Sequence, residues 1–383
     1  MTDEMNKDQS NRPTDPAMPD PRDRDGDAAR YEAMLEEARK LRGVSLGKDA
    51  WRQLRKNRVA MASLIFLIVL TILSAFAPLI PFQPPRLVDM SRRFTPPTIT
   101  LNANPTIVVD EGDERLDASL DEGFGELGPV SNFMLHIRVK IFGNWAIPSI
   151  CGTDNLGRDI LSRLFWGSRI SLVVGLVATL VSLIIGVSYG AIAGYLGGWI
   201  DNLMMRIVDV MYSIPFIFLV IFLMSILREV DLSHLGLNEI TLFFLLIGAI
   251  YWLTMARVVR GQVISLRNEP YIEAARTIGA GHTRIVFLHL VPNLLSIVIV
   301  YLTLTIPRVI LFESFLSFLG FGVQSPDVSW GLLANEGLKV ITPVKTLWWL
   351  VVFPGIALGF TLWALNFLGD GLRDALDPKL KNK

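Results

Sequence analysis

At 383 residues, 51% hydrophobic and only 19% charged, with a mean hydropathy of +0.44, the chain reads as a polytopic membrane protein. The 36 Lys and Arg balance the 36 Asp and Glu, and nothing in their placement points to nucleic-acid binding. The one cysteine, Cys151, excludes an intrachain disulfide framework; with His136, His234, His282 and His289 scattered, no metal-ligand spacing forms and no cofactor is expected.

Residues 1–50 are expected to form a cytoplasmic tail. Met1–Asp27 has almost nothing to bury and is expected to be disordered, whereas Ala28–Leu41 is rich in helix formers and predicts a soluble helix. Gly43–Asp49 brushes against a phosphate-loop pattern but has too few residues between its glycines, and Asp49 stands where Ser or Thr would ligate magnesium. It reads as a linker, and no ATPase site is expected. No secretory signal opens the sequence, so the first apolar run is expected to remain as an anchor.

Residues 51–81 are a basic collar and a first span. Arg52, Arg55, Lys56 and Arg58 directly precede Val59–Ile80, which is long enough to cross a bilayer. Positive charge beside the span places the N-terminus inside the cell, and Pro81, Pro84 and Pro85 are expected to end the helix.

Residues 82–170 are then external. The acidic run Asp110–Glu126 matches no calcium loop and is expected to be a solvated loop. Gly152–Ile170 predicts an interfacial amphipathic helix capped by Asp154 or Asn155. Its Ile160, Leu161, Leu164 and Phe165 face one way, and Arg158, Arg163 and Arg169 the other.

Five more spans are expected in a core over residues 171–370: about Ser171–Gly194, Leu203–Leu227, Ile240–Ala256, Leu294–Phe312 and Leu347–Leu368. The second span carries Ala178, Ser182, Gly186, Gly190 and Gly194, small residues that let another helix approach closely. Its neighbour could lie in the same chain or in a partner. Pro215, Pro307 and Pro354 fall inside spans and can bend them. Arg206 and Asp209 share a helix face and are expected to pair. Arg308 and Glu313 are expected near the outer surface, where snorkelling or pairing suffices. Six spans return residues 371–383 to the cytoplasm, in agreement with Arg373, Lys379, Lys381 and Lys383.

The loop 257–293 between spans four and five is polar and cationic. Pro270 suits a first helical position, Tyr271–Thr277 reads as two turns, and Gly279 supplies a stop. Pro292 is expected to open the next apolar helix. On composition alone this is a cytoplasmic connector in which Glu273 pairs with Arg276.

The order Glu273, Ala274, Ala275, then Gly279, then Pro292 resembles the EAA loop of permease subunits in bacterial ABC importers. His289–Pro292 departs from the general pattern toward the peptide-importer branch. The collar, GTDNLGRDILSRL at Gly152–Leu164, ESFLSFLGFGVQSPDVSWG at Glu313–Gly331 and NFLGDGLRDALDP at Asn366–Pro378 resemble the C-type permease of oligopeptide and dipeptide importers. The resemblance implies an all-α membrane protein of the type I ABC importer permease fold, with six spans and both termini cytoplasmic, in a bacterial inner membrane. It implies a homologous second permease, two cytoplasmic ATPases, an external solute-binding protein and a peptide substrate. It makes Glu273, Ala274, Ala275, Arg276, Gly279 and Pro292 the ATPase-coupling residues. The long tail and the insert near 101–150 are unlike the family. A carrier working alone would need midplane ion sites and often an internal repeat, and the sequence shows neither. A membrane scaffold would leave the small-residue stripe and the prolines unexplained.

Overall fold

The computed structural model describes residues 46–98, 113–125, 127–229, 239–342 and 345–376. The expected disordered tail at 1–27, the soluble helix at 28–41, the insert residues 101–112, His234 and the last lysines lie outside the described residues. Contacts assign Met1–Asp49 to one unit and Ala50–Lys383 to another. Among the described residues the chain is helical, with one isolated antiparallel bridge, Thr153 to Asp159.

Helix α1 (Leu46–Lys56) carries the basic collar. Asn57 separates it from α2 (Arg58–Ala75) and caps the latter, its side chain accepting the Ala60 N–H at 3.1 Å. The first span ends at Ala75, before the prolines that were expected to stop it.

The acidic run is not a loop throughout. Asp113–Phe124 forms α3, because Leu120 and Phe124 find a core with Leu135, Ala77 and Trp166. Helix α4 (Pro129–Phe142) follows, with Pro129 in its first turn and Gly143 at φ 57° behind it.

The amphipathic interfacial helix expected at Gly152–Ile170 does not exist as such. Asp159, not Asp154 or Asn155, is the cap, accepting the Ser162 N–H at 2.6 Å. Helix α5 (Ile160–Leu196) then runs unbroken for 37 residues, roughly 55 Å at 1.5 Å per residue. That exceeds the roughly 30 Å hydrocarbon core, so its first turns stand outside the membrane.

After Gly197 come α6 (Gly198–Ser213) and α7 (Phe216–Glu229). The third expected span is this pair, bent by 85° at Pro215. Proline removes a backbone donor and drives the preceding Ile214 into an extended conformation, φ −86° and ψ 125°.

Helix α8 (Glu239–Leu266) packs along α5. The small-residue stripe lies in that contact. A methyl carbon on Gly186 would stand 2.6 Å from the Met255 Cβ, and one on Gly194 2.8 Å from the Arg260 carbonyl oxygen. On Gly190 it would collide with the Ala256 carbonyl. Ala178 and Ser182 are buried on the same helix face.

Helix α9 (Pro270–Thr277) leads to α10 (His282–Phe318), a second unbroken 37-residue helix. Pro292 falls in the first turn of the α-helical stretch Val291–Phe318, as expected, but that stretch continues an earlier helical segment rather than starting afresh. A π-helical stretch at Ile285–Leu290 accommodates it by widening the ring where the proline would clash with a carbonyl. The Asn293 side chain donates to the His289 carbonyl at 2.7 Å.

Helix α11 (Trp330–Val340) is capped by Ser329, and α12 (Trp349–Leu376) packs on α2 and α10. Among the described residues five helices, α2, α5, α8, α10 and α12, are long and apolar enough to cross a membrane, and the bent α6–α7 pair, taken as one broken span, brings the number to six.

Candidate functional site

The sequence places its candidate site on α9. Ile272 and Ala275 are buried and join a cluster with Tyr195 of α5, Val259 and Val263 of α8, and Ile285 and Leu290 of α10. Three long helices thus hold α9 by one face. The opposite face carries Tyr271, Glu273, Ala274 and Arg276, all exposed. Ile278, immediately after the helix, is 85% exposed.

The end of α9 is built by its glycine. The Gly279 N–H bonds to the Arg276 carbonyl at 2.9 Å, and the Ala280 N–H returns to the Ala275 carbonyl at 3.0 Å. Gly279 sits at φ 83°, where any side chain would be strained.

Two expectations for this helix change. Ala275, one of the residues that the resemblance makes coupling residues, is buried against the body of the protein rather than presented on the exposed face. Arg276 does not pair with Glu273: its guanidinium lies over the Tyr195 ring, 5.3 Å from the centroid. Tyr195 also meets His282 Nδ1 at 3.2 Å. Glu273 is left forward on the exposed face without an ion pair among the described residues. Pro292 and the exposed face of α9 belong to different elements, and Pro292 shapes the root of α10.

A second constellation escaped the sequence reading. Asp154, Arg158, Arg163 and Glu336 form a buried ionic cluster on the outer side. Asp154 Oδ2 accepts from Arg158 Nε at 2.7 Å and from Arg163 Nη1 at 2.6 Å. Glu336 Oε2 meets the same two arginines at 3.1 and 2.5 Å. Asp154 Oδ1 accepts the Leu156 and Arg158 N–H groups, which folds the turn before α5. Two of the arginines expected on the polar side of an interfacial helix, Arg158 and Arg163, are therefore inside the protein, Arg163 with none of its area exposed. The spacing Asp154, Arg158, Arg163 was visible, but Glu336 comes from α11, and no local pattern announces it.

Beside the cluster, burial pushes the Asp159 carboxyl up to about 6, against the opposing pull of the Ser162 N–H and the Arg92 charge. Glu313, near the outer end of α10 as expected, is fully buried inside the protein, where it accepts from Ser317 Oγ at 2.8 Å, Ser314 Oγ at 3.2 Å and Ser171 Oγ at 3.4 Å. Asp209 pairs with Arg257 of α8 at 2.6 Å rather than with Arg206.

The chain belongs to the family of binding-protein-dependent transport system inner membrane components, which matches residues 186–382. It falls in the oligopeptide and dipeptide ABC importer branch, C-type, since the N-terminal TM domain of oligopeptide transport permease C matches residues 45–97. It is 36% identical over 338 residues to the dipeptide transport system permease protein DppC of Bacillus subtilis, covering 88% of this chain and 87% of that one. It is 41% identical over 339 residues to the oligopeptide transport system permease protein OppC of Salmonella typhimurium, covering 88% and 93%. Among solved structures, a chain of the MetNI methionine ABC transporter in inward-facing conformations aligns at TM-score 0.43 and 19% identity, over 55% of this chain and 94% of that one. The chain is a multi-pass protein of the bacterial inner membrane.

Proposed function

We propose that this chain forms, with a homologous permease, the membrane pathway of an importer for dipeptides or oligopeptides, and that α9 is where a cytoplasmic ATPase subunit takes hold. The observation that carries the second half is the two-sidedness of α9. Ile272 and Ala275 root it among α5, α8 and α10, while Glu273, Ala274 and Ile278 are exposed on the other side. A helix so rooted transmits a push to three spans at once. The relatives named for peptide transport support the substrate class.

In this reading ATP is hydrolysed in two separate subunits, an external solute-binding protein delivers the peptide, and the chain moves without covalent chemistry. Residues 82–170 serve the outer face, 171–370 the transport core and 257–293 the coupling loop. Ala178, Ser182, Gly186, Gly190 and Gly194 keep α5 and α8 moving as one body.

Glu273→Arg tests the coupling role. The position is exposed, so membrane insertion is expected to persist while uptake of a radiolabelled dipeptide is lost and ATP hydrolysis no longer responds to peptide. Normal uptake by this variant would remove α9 from the coupling path. A gentle-detergent pull-down of the tagged chain is expected to recover a second six-span permease and an ATP-hydrolysing subunit; recovery of the chain alone, without ATPase activity, would refute the assembly.

A further inference from the structure

Six polar residues from three spans form one continuous stripe: Asp209 and Tyr212 of α6, Tyr251, Thr254 and Arg257 of α8, and Arg308 of α10. The Tyr212 hydroxyl meets Thr254 Oγ1 at 2.7 Å, and the Tyr251 hydroxyl donates to the Arg308 carbonyl at 3.3 Å. The Arg257 guanidinium lies 4.1 Å from the Tyr212 ring centroid and bonds Asp209 at 2.6 Å. On α6 and α8 the residues recur every third position, so each of these two helices brings its polar residues to one side, and α10 adds Arg308, whose carbonyl meets Tyr251.

Its middle members, Tyr251, Thr254 and Arg308, are not at the ends of the spans, whereas Arg257 with Asp209 marks its inner end, where the loop 257–293 begins. Tyr251, Thr254 and Arg257 lie 12, 15 and 18 residues into α8, roughly 18, 22 and 27 Å from its outer end. Arg308 lies 10 residues before the outer end of α10, roughly 15 Å in, a depth that agrees with its contact to Tyr251. Yet the side chains are open. Arg257 is 45% exposed, Asp209 is 54% exposed, and Thr254 and Arg308 are exposed as well. On the neighbouring turns of α8, Trp252, Leu253, Met255 and Ala256 are all buried, so Thr254 and Arg257 mark the side of this helix that the chain leaves uncovered. Charged groups at membrane depth are expensive against lipid and belong on a water-filled cavity.

A cavity of about 120 Å³ opens in the same place, lined by Tyr212, Tyr251 and Thr254 together with Phe216, Ile250 and Phe312. It begins at the Pro215 bend, where α6 and α7 part. Aromatic walls with hydroxyls at their rim suit a polar chain carrying varied side chains. Arg308 is the outermost cation of the stripe, and Arg257 with Asp209 is a neutralised pair at its inner end.

We infer that this stripe lines the translocation path of the importer and is where the main chain of a passing peptide touches this subunit. The inference rests on the transport reading above and adds which residues face the solute. The hydroxyls already bond within the stripe, so contacts with a peptide exchange one partner for another. Such contacts hold the peptide weakly enough for it to leave.

The test uses the assembled importer in native membranes. Cys151 is the only cysteine and is buried, so Cys151→Ala supplies a background for single cysteines. Thr254→Cys and Tyr212→Cys are compared with Phe360→Cys on α12 and Ile184→Cys on α5, whose parent side chains are exposed and apolar. The probe is a membrane-impermeant cationic methanethiosulfonate, added to inside-out and right-side-out vesicles, with and without ATP plus vanadate.

In at least one nucleotide state, the stripe cysteines are expected to react about tenfold faster than the two controls, as a wetted surface requires. Excess dipeptide is expected to slow that reaction. Stripe cysteines that stay as slow as the controls in every state overturn the inference in favour of a lipid-facing surface. Stripe cysteines that stay slow but cross-link to the second permease overturn it in favour of a subunit seam. Uptake of radiolabelled dipeptide by the Cys151→Ala parent is measured separately. Fast labelling without dipeptide protection, in a parent that takes up no dipeptide, leaves the path in place and refutes the peptide reading instead.

Discussion

Asp154→Ala tests the outer ionic cluster. The Asp154 side chain is 4% exposed and accepts four hydrogen bonds, two from backbone N–H groups and two from Arg158 and Arg163. Removing it leaves Arg163, whose side chain is 1% exposed, with Glu336 as its only carboxylate among the described residues. Breaking a buried ion pair from one side costs about 3–5 kcal/mol, because the remaining charge stays desolvated. At about 2 °C per kcal/mol for a chain of this size, the unfolding midpoint is expected to fall by about 6–10 °C. The assay is built into the protein. Cys151, three residues from Asp154, is buried, and a thiol-reactive fluorogenic dye reports its exposure as detergent-solubilised protein is heated. A midpoint within about 1 °C of the parent would refute the reasoning, since it would mean that the cluster contributes nothing net. Asp154→Asn keeps part of the hydrogen bonding and is expected to fall between the two.

Other variants probe different links. Gly190→Leu forces a side chain into the Ala256 carbonyl and is expected to cost about 3 kcal/mol or more, seen as loss of the monodisperse peak in size-exclusion chromatography. Gly261→Ala, also in a span but with open space around it, is expected to be neutral or slightly stabilising in the same assay. Ile272→Ala removes the root of α9 and is expected to cost about 2–4 kcal/mol locally, read as faster amide exchange at Ala274–Gly279 with exchange elsewhere unchanged. Asp159 gives a pH dependence. Its carboxyl is raised from 3.8 to about 6 in the folded protein, so between those values the folded state holds the proton more tightly. Its contribution therefore falls as pH rises from about 4 to about 6 and is flat above. Asn caps as well as Asp, so Asp159→Asn is expected to be about 2–3 kcal/mol more favourable relative to the parent at pH 7.5 than at pH 4. Equal midpoint differences at both pH values would count against the shift.

The number and order of the spans were legible because a bilayer demands long apolar runs, and such runs are local. The Gly279 stop was legible for the same reason: a left-handed residue after two helical turns needs no tertiary partner. The resemblance of the loop 257–293 to the EAA pattern also lies within one stretch. What could not be read locally was every feature that depends on a distant element. Leu120 and Phe124 turn an acidic run into a helix only because Leu135 and Trp166 are there to receive them. Arg158 and Arg163 look like interfacial cations until Glu336, from α11, brings them inside. Asp209 has a plausible partner three residues away, yet it bonds Arg257 of the neighbouring α8. Pro292 opens its α-helical stretch as expected, but the widened turn at Ile285–Leu290 before it, on which α9 and α5 pack, has no local signal. The sequence by itself determined which segments cross the membrane and what family they resemble, since hydropathy and short motifs are properties of neighbours along the chain. The tertiary structure alone decided where the charges go, because a buried ion or an exposed polar face is settled by whatever packs against it.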